Sequence, residues 1–355
     1  MENFILEKNE YISDVDSTLS LYTHKKTKAK ILHLSNKDDN KLFNIAFHTP
    51  TEDNTGVFHI IEHSVLSGSR KYRTVDPFID LYSSSLNTFM NAMTTMDITT
   101  YPFSTRNIKD FYNILDMYLD SVFFPLMYER KETFYREGWH YEIKNKEDDL
   151  KYTGVVYNEM KGLLSDRVVN LSYQAFKTHY VHHPYSFNSG GDPALIPNLT
   201  YEDFLLIHKK YYHPSNSLIF LYGDIDVEKV LKHIDDEYLS KFEEKIINLE
   251  NKEEKTQTTE NSSLDYYSAS EDDSSSLVAI GYKIGDVPNL FNAFVLDILQ
   301  EVLFISPYSP IRLSVLEKCL AKEIYAMPIK KQRFDFFILG IDIEKPNDFV
   351  YAIEN

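Results

Sequence analysis

The stretch NTGVFHIIEHSVLSGSRKY, residues 54–72, decides how the rest of this chain is read, and the five letters HIIEH at residues 59–63 carry the decision. On a helix of about 100° per residue with Val57 at zero, Glu62, His59 and His63 fall at about 140°, 200° and 240°. Val57, Ile61, Val65 and Ile60 fall at about 0°, 40°, 80° and 300°. The polar residues share one face and the aliphatic ones hold the other. Asn54 or Thr55 can serve as N-cap and Gly68 as the C-terminal stop. A lone histidine on such a helix is ordinarily packed or solvated. Two at i, i+4 can bring both imidazoles to one tetrahedral zinc ion. Glu62, one position before the second histidine, is then placed to take a proton from a zinc-bound water rather than to bind the metal. The order His-x-x-Glu-His inverts His-Glu-x-x-His and serves the same chemistry.

Two histidines need a third ligand, and the downstream candidates are Glu137, His140, Glu142, Glu159, His179, His182 and His183. The segment GVVYNEMKGLLSD, residues 154–166, helps to choose among them. With Val155 at zero, Val156, Met160 and Leu163 fall at about 100°, 140° and 80°, and Glu159 at about 40°, inside the apolar stripe. A carboxylate buried there without a partner is expensive and needs a cation. An arginine is one answer; beside HIIEH, zinc is the stronger one.

Around these helices the chain reads as mixed α and β. KAKILHLSN (28–36) and LFNIAFHT (42–49) read as the two strands of a hairpin around NKDDNK, and SLIFLYGDI (217–225) as a further strand. Helical periodicity covers 56–67, 107–122, 154–166 and 200–212, the last opening on a capping-box pair, Thr200 and Asp203. From 241 to 276 the sequence turns charged and rich in Ser, Thr and Asn, a linker composition. A strand at 276–284, helices near 289–304 and 309–319, and a strand at 334–343 follow it. The expected domains are therefore 1–245, a polar linker at 246–275, and a second domain from 276 that is cut short at 355.

The whole chain narrows the function classes. Its 37 Lys and Arg stand against 54 Asp and Glu, and the net charge of −17 repels phosphate backbones, so no nucleic-acid partner is expected. The single cysteine, Cys319, excludes a disulfide framework and a cysteine-cluster zinc site and fits a reducing compartment. The start, MENFILEKNEYISD, lacks the positive n-region and apolar run of a signal peptide. No apolar run of about 18 residues is evident, so no membrane partner is expected. The cytoplasm is the expected location, or an organelle matrix where a leader precedes this sequence.

Five segments in order carry a resemblance: HIIEHSVLSGSRKY, LNTFMNAMTTMDITTYPF, EGWHYE, GVVYNEMKG, and NSGGDPALIPNLTYEDFLLIHKKYYHPSNSLIFLYGDID. Together they are similar to the pitrilysin-type inverted zinc peptidases, nearest the presequence protease and falcilysin branch. The resemblance covers residues 1–240 and, more loosely, 264–355. It implies an α+β fold, a two-layer sandwich of helices on a mostly antiparallel sheet, repeated in a second domain. It implies His59, His63 and Glu159 as ligands of one zinc ion and Glu62 as general base. Members closer to pitrilysin carry a second glutamate seven residues before the third ligand; here Tyr152 stands there, and no supporting carboxylate is assigned. The segment NAMTT (91–95) resembles the edge strand on which these enzymes lay an unfolded peptide, with Asn91 and Ala92 pairing to its backbone. Read alone, the same segment is an ordinary strand ended by Pro102. A second half of such enzymes supplies an arginine and a tyrosine to the reaction, so a C-terminal half of the same protein is the expected partner. The resemblance thus implies a fragment that binds zinc but turns over peptides weakly.

Other readings are open. REGWHYE (136–142) holds the only tryptophan, Trp139, and reads as a strand with an anchoring aromatic rather than as support for the metal. HHPYSFNSGGDP (182–193) reads as a surface turn set by Gly190, Gly191 and Pro193. A metal-dependent lyase shares the His-x-x-Glu-His motif on a much shorter chain, and a catalytically silent scaffold of the same fold would have lost part of it.

Overall fold

The first sheet begins with β1 (Phe4–Ile12), β2 (Ser17–His24), β3 (Lys30–Ser35) and β4 (Lys41–His48): β4 alternates buried and half-exposed residues along its whole length and β3 over most of it, while β1 is largely exposed. The structure, a computed structural model, describes residues 2–181, 183–247, 275–285, 289–330 and 334–355. It folds as two units, one of Met1–Lys161 with Phe187–Lys252 and one of Gly162–Ser186 with Glu253–Asn355.

In the first unit, α1 (Val57–Val65) and α2 (Pro77–Ser84) lead to β5 (Asn87–Met90), β6 (Met93–Thr94) and β7 (Ile98–Thr105). Then come α3 (Ile108–Phe123), α4 (Lys131–Glu137), the hairpin β8 (His140–Glu142) and β9 (Lys151–Thr153), and α5 (Val155–Leu163). After a helix of the other unit, α6 (Arg167–His179), the chain returns with α7 (Tyr201–Tyr211), β10 (Ser217–Tyr222) and α8 (Val227–Glu237). The eight-stranded sheet runs β1-β2-β3-β10-β4-β7-β5, with β6 also paired to β7. Every pair is antiparallel except β10 with β3.

The expected hairpin between β3 and β4 does not form. β10 lies between them, with Ile219 opposite Ile31 on one side and Ile45 on the other. Ile31, Ile45 and Ile219 have no exposed surface, so SLIFLY gains a fully buried apolar row that a two-stranded hairpin could not give it. Nor does Pro102 end a strand: β7 runs through it to Thr105. Proline has no N–H to give the neighbouring strand. Opposite it the edge is interrupted between β5 and β6, at Asn91 and Ala92, and the Asn91 N–H donates to the Pro102 carbonyl at 3.1 Å. Behind the sheet α3 contributes Phe111, Ile114, Leu115 and Tyr118, all without exposed surface, and Tyr118 stacks on Phe103 with centroids 5.6 Å apart.

The helices form close to their expected spans, with one correction at the caps. The N-cap of α1 is neither Asn54 nor Thr55 but Gly56, at φ 68° with no side-chain cap. Asn54 is used elsewhere, its Oδ1 accepting from Asn188 N–H at 2.8 Å. At α7 the Thr200 Oγ1 does accept from Asp203 N–H at 3.1 Å, and also donates to the Asp203 carboxylate at 2.6 Å.

In the second unit, β11 (Ser276–Gly285), α9 (Leu290–Gln300), α10 (Pro310–Glu317), β12 (Glu323–Lys330), β13 (Phe334–Ile343) and α11 (Pro346–Glu354) follow in order. The antiparallel sheet β11-β13-β12 centres on β13, whose FDFFILGIDI is buried at nine of its ten positions. Gly162–Ser186, which the sequence leaves in the first domain, belongs here. Phe176 of α6 meets Phe337 edge-on at 5.0 Å, Arg167 pairs with Asp342, and Tyr180 donates to Asp335 at 2.8 Å. The polar linker at 246–275 lies almost wholly outside the described residues. By length and composition the helical run Leu290–Glu317 would suffice to cross a membrane, against the expectation of no such stretch. The run is broken inside: α9 ends at Gln300, a π-turn covers Glu301–Ile305, and Pro310 opens a new helix.

Candidate metal centre

Helix α1 presents its motif as the wheel requires. Val57, Ile60, Ile61 and Val65 are buried, while the His59 and His63 side chains are 12% and 27% exposed. Their rings stand edge to face with centroids 4.9 Å apart. From α5, Glu159 reaches both: its Oε2 lies 3.7 Å from Nε2 of His59 and 3.8 Å from Nε2 of His63. The candidate ligand atoms of the three residues all lie within 4.8 Å of one another, the one such group among the described residues. Tetrahedral bonds of about 2.0–2.1 Å place donor atoms about 3.3 Å apart, so closing on one ion takes only a small inward movement. Two imidazole nitrogens and one carboxylate oxygen are the donor set of a catalytic zinc site, and these residues fit that ion.

Against the expectation from the helical wheel, Glu159 does not lie in a buried stripe: its side chain is 51% exposed, and Val155 is 43% exposed. The buried residues of α5 are Val156, Tyr157 and Met160, while Val155 and Leu163 are exposed, so the buried stripe is centred away from Glu159. Glu159 sits at the edge of that stripe, where a carboxylate can stay hydrated and still turn toward the histidines. The other candidates are placed elsewhere. The Nδ1 of His140 faces the Tyr135 carbonyl at 2.8 Å, His183 Nδ1 accepts from Tyr185 N–H at 3.1 Å, and His179 pairs with Asp335 in the second unit. His182 lies outside the described residues.

His59 Nδ1 is hydrogen-bonded and His63 Nδ1 faces a carboxylate, and in both residues Nε2 is the atom turned toward Glu159. His59 Nδ1 lies 3.2 Å from the Gly190 carbonyl, which can only accept, so Nδ1 carries the proton. That contact depends on glycine: a Cβ on Gly56 would lie 2.5 Å from the same oxygen. The NSGGD turn is thus more than a surface turn, since its Gly190 carbonyl orients a ligand. His63 Nδ1 lies 3.6 Å from Oε2 of Glu137, at the end of α4. Burial alone would lower the His63 pKa, but Glu137, Glu62 and Glu159 outweigh it and the net direction is upward. Sequence reasoning missed Glu137 in this role. Its signal was present, as the final residue of a helix next to Gly138 and Trp139. Trp139 is the expected anchor, its indole N–H donating to the Leu199 carbonyl at 3.0 Å.

Glu62 is 7% exposed and stands outside the ligand set. Burial pushes its carboxyl upward, opposed by the Thr94 hydrogen bond and by the two histidines. Thr94 Oγ1 donates to Glu62 Oε2 at 2.6 Å, tying the base to strand β6. At the neighbouring break in the edge, Asn91 has its backbone engaged inward: its N–H meets Pro102 O, and its carbonyl accepts from Tyr118 Oη at 3.0 Å. Its side-chain Oδ1 accepts from Ala92 N–H at 2.9 Å.

The comparisons agree with this geometry. Residues 48–159 match the model described as insulinase (peptidase family M16), and residues 198–355 that described as the peptidase M16 inactive domain. Over 352 residues the chain is 44% identical to Protein HypA of Clostridium perfringens, covering 98% of this chain and 36% of that one. It is 48% identical over 234 residues to presequence protease 1, chloroplastic/mitochondrial, of Arabidopsis thaliana, covering 66% of this chain and 22% of the relative. The chain therefore spans about a third or less of the length of these curated relatives. Among solved structures, a protease from Helicobacter pylori aligns with a TM-score of 0.68 at 18% identity, covering 95% of this chain and 79% of that one. Pitrilysin aligns with a TM-score of 0.63 at 16% identity, covering 99% and 37%. With residues 48–159 and 198–355 matched to two domain models of one family, and with presequence proteases among its relatives, this chain belongs to the pitrilysin-type peptidases of family M16.

Proposed function

We propose that this chain carries the metal site of a zinc-dependent endopeptidase acting on unfolded peptides, with His59, His63 and Glu159 as ligands of one zinc ion and Glu62 as general base. The observation that carries the reading is the convergence of two imidazole Nε2 atoms on one carboxylate oxygen, at 3.7 and 3.8 Å, beside a buried glutamate outside that set. When bound, zinc supplies a Lewis acid that polarises a peptide carbonyl and acidifies water. The chain's own residues do the rest. Thr94 occupies Oε2 of Glu62, so Oε1 is the oxygen assigned to proton transfer. Glu62 takes a proton as the water oxygen adds to the carbonyl carbon, the C–N bond breaks, and the same proton passes to the departing amine. One water is consumed and Glu62 returns to its ionised form.

The peptide is proposed to add as a strand beside β6, near Asn91 and Ala92, which sets register by backbone and asks little of side chains. Because Thr94 belongs to β6, the receiving edge and the base are parts of one structure. The matched stretch is about a third of the relatives' length, and turnover by residues 1–355 alone is proposed to be weak, with the remainder of such a protein as partner. A silent scaffold is the second reading, and the presence of all four motif residues favours the enzyme over it. Metal analysis tests the site: one zinc per chain is expected for the wild type and a large loss for Glu159→Gln. A zinc-free wild type, or a fully loaded variant, refutes it.

A further inference from the structure

Glu137 is the buried carboxylate near the centre that the proposed chemistry leaves without a task. It is 7% exposed, at the C-terminal end of α4, and its two oxygens are used differently. Oε1 accepts from Arg136 Nε at 2.8 Å and from Ser67 Oγ at 3.1 Å. The single Ser67 hydroxyl proton is shared with the His63 carbonyl, also at 3.1 Å, so the clamp is fastened to the ligand helix itself. Oε2 is left facing Nδ1 of His63 at 3.6 Å.

Two roles are open to such a group: direct ligand or orienter. The geometry excludes the first while His63 binds through Nε2. Nδ1 and Nε2 lie on different edges of the imidazole ring and their lone pairs diverge. Nε2 is the atom turned to Glu159, so an ion held by His63 and Glu159 lies away from the Nδ1 edge where Glu137 sits. A purely structural ion pair with Arg136 is the plainer explanation, but that pair needs only Oε1. It gives no reason for Oε2 to be directed at a histidine that is 27% exposed.

We infer that Glu137 is the positioning residue of His63: it accepts the Nδ1 proton, fixes the tautomer that leaves Nε2 free for the metal, and holds the ring turned toward Glu159. The inference rests on the zinc reading above. It sets the two ligands apart, since His59 is oriented by a neutral backbone carbonyl and His63 by a charged, clamped side chain. The task of supporting carboxylate falls to a residue of α4, although Tyr152 occupies the position seven residues before Glu159.

The test is the zinc dissociation constant, measured by competition with a chromogenic chelator on the full chain, for wild type, Glu137→Ala, Glu137→Gln and Ser67→Ala. Loss of such a partner typically weakens metal binding about 10–100-fold, and that range is expected for Glu137→Ala. Glu137→Gln, which can still accept from Nδ1–H through its amide oxygen, should fall between it and the wild type. Ser67→Ala loosens the clamp without touching the histidine and should give a smaller loss; it also serves if Glu137→Ala does not fold. Cobalt substitution supplies the readout that a structural role would not move: the ligand-field spectrum should change in Glu137→Ala and recover toward wild type in Glu137→Gln. Equal zinc affinity and unchanged cobalt spectra across the series, with lowered thermal stability only, overturn the inference and leave the zinc reading standing. A wild type whose zinc binding is absent or indifferent to Glu159→Gln overturns both.

Discussion

The Thr94 hydroxyl donates a 2.6 Å hydrogen bond to Oε2 of Glu62, joining the short strand on the sheet edge to the buried carboxylate of the metal-binding helix. The two residues are 32 apart in sequence, and the bond makes Glu62 inequivalent at its two oxygens. In a form of the protein that hydrolyses peptide, Glu62→Gln should retain zinc and lose about 10²–10⁴-fold in kcat, the range for a general base. Thr94→Val should lower kcat by about tenfold at unchanged zinc content, the size of one hydrogen bond to a charged group. Thr94→Ser should recover most of that loss. Steady-state kinetics beside metal analysis checks all three, and hydrolysis that survives Glu62→Gln removes the mechanism.

Zinc loading should weaken as pH falls. In the metal-free chain the His63 pKa is raised above the ordinary value, through Glu137, Glu62 and Glu159 acting against burial. A raised histidine stabilises the metal-free fold below its unfolded value of about 6.5, and that contribution disappears as pH rises through the folded value. Zinc must displace the same proton, so its affinity starts to drop at a pH above about 6.5. Isothermal calorimetry in buffers of different ionisation enthalpy should show proton release on zinc binding that grows from pH 8 to pH 6.

Acid should also destabilise the fold through His208. Its Nε2 faces the Val122 carbonyl at 3.1 Å, which fixes the proton there, and its Nδ1 accepts from Tyr128 Oη at 2.8 Å. Fully buried, it is lowered to about 3. The unfolded chain binds this proton below about 6.5 and the folded chain does not, so stability is lost as pH falls between those values, by up to a few kcal/mol. Urea midpoints at pH 7 and pH 4 should differ less in His208→Gln than in wild type, although the variant starts lower at pH 7.

Gly56→Ala should disturb both fold and site. The residue is at φ 68°, and a Cβ would meet the Gly190 carbonyl oxygen at 2.5 Å, backbone that cannot step aside cheaply. A loss of about 1–3 kcal/mol in stability is expected, together with weaker zinc binding through His59. Gly190→Ala meets the Met160 thioether at 2.6 Å, a flexible chain end, and should cost less. Thermal melts of the metal-free and zinc-loaded variants separate the two effects.

What the sequence determined alone is what a single helix can express. The i, i+4 spacing of His59 and His63, the place of Glu62 between them and the apolar opposite face are local geometry, and they are found as read. The long periodic helices are legible for the same reason, as is β13, apolar but for Asp335 and Asp342. What only the tertiary structure decided is everything joined across distance. β10 enters between β3 and β4 because pairing on both of its edges, with Ile219 and Leu221 fully buried on its inner face, outweighs the short connection through NKDDNK. The break at Asn91 and Ala92 follows from the missing N–H of Pro102 on the strand beside it. Glu159 lacks the burial that the helical wheel gives it; its place beside the histidines comes from where the tertiary fold puts α5, with Oε2 3.7 and 3.8 Å from the two Nε2 atoms. Gly190, Glu137 and Thr94 reach His59, His63 and Glu62 over separations of 131, 74 and 32 residues. Hydrophobic periodicity says which face of an element is buried, but not which other element comes to cover it.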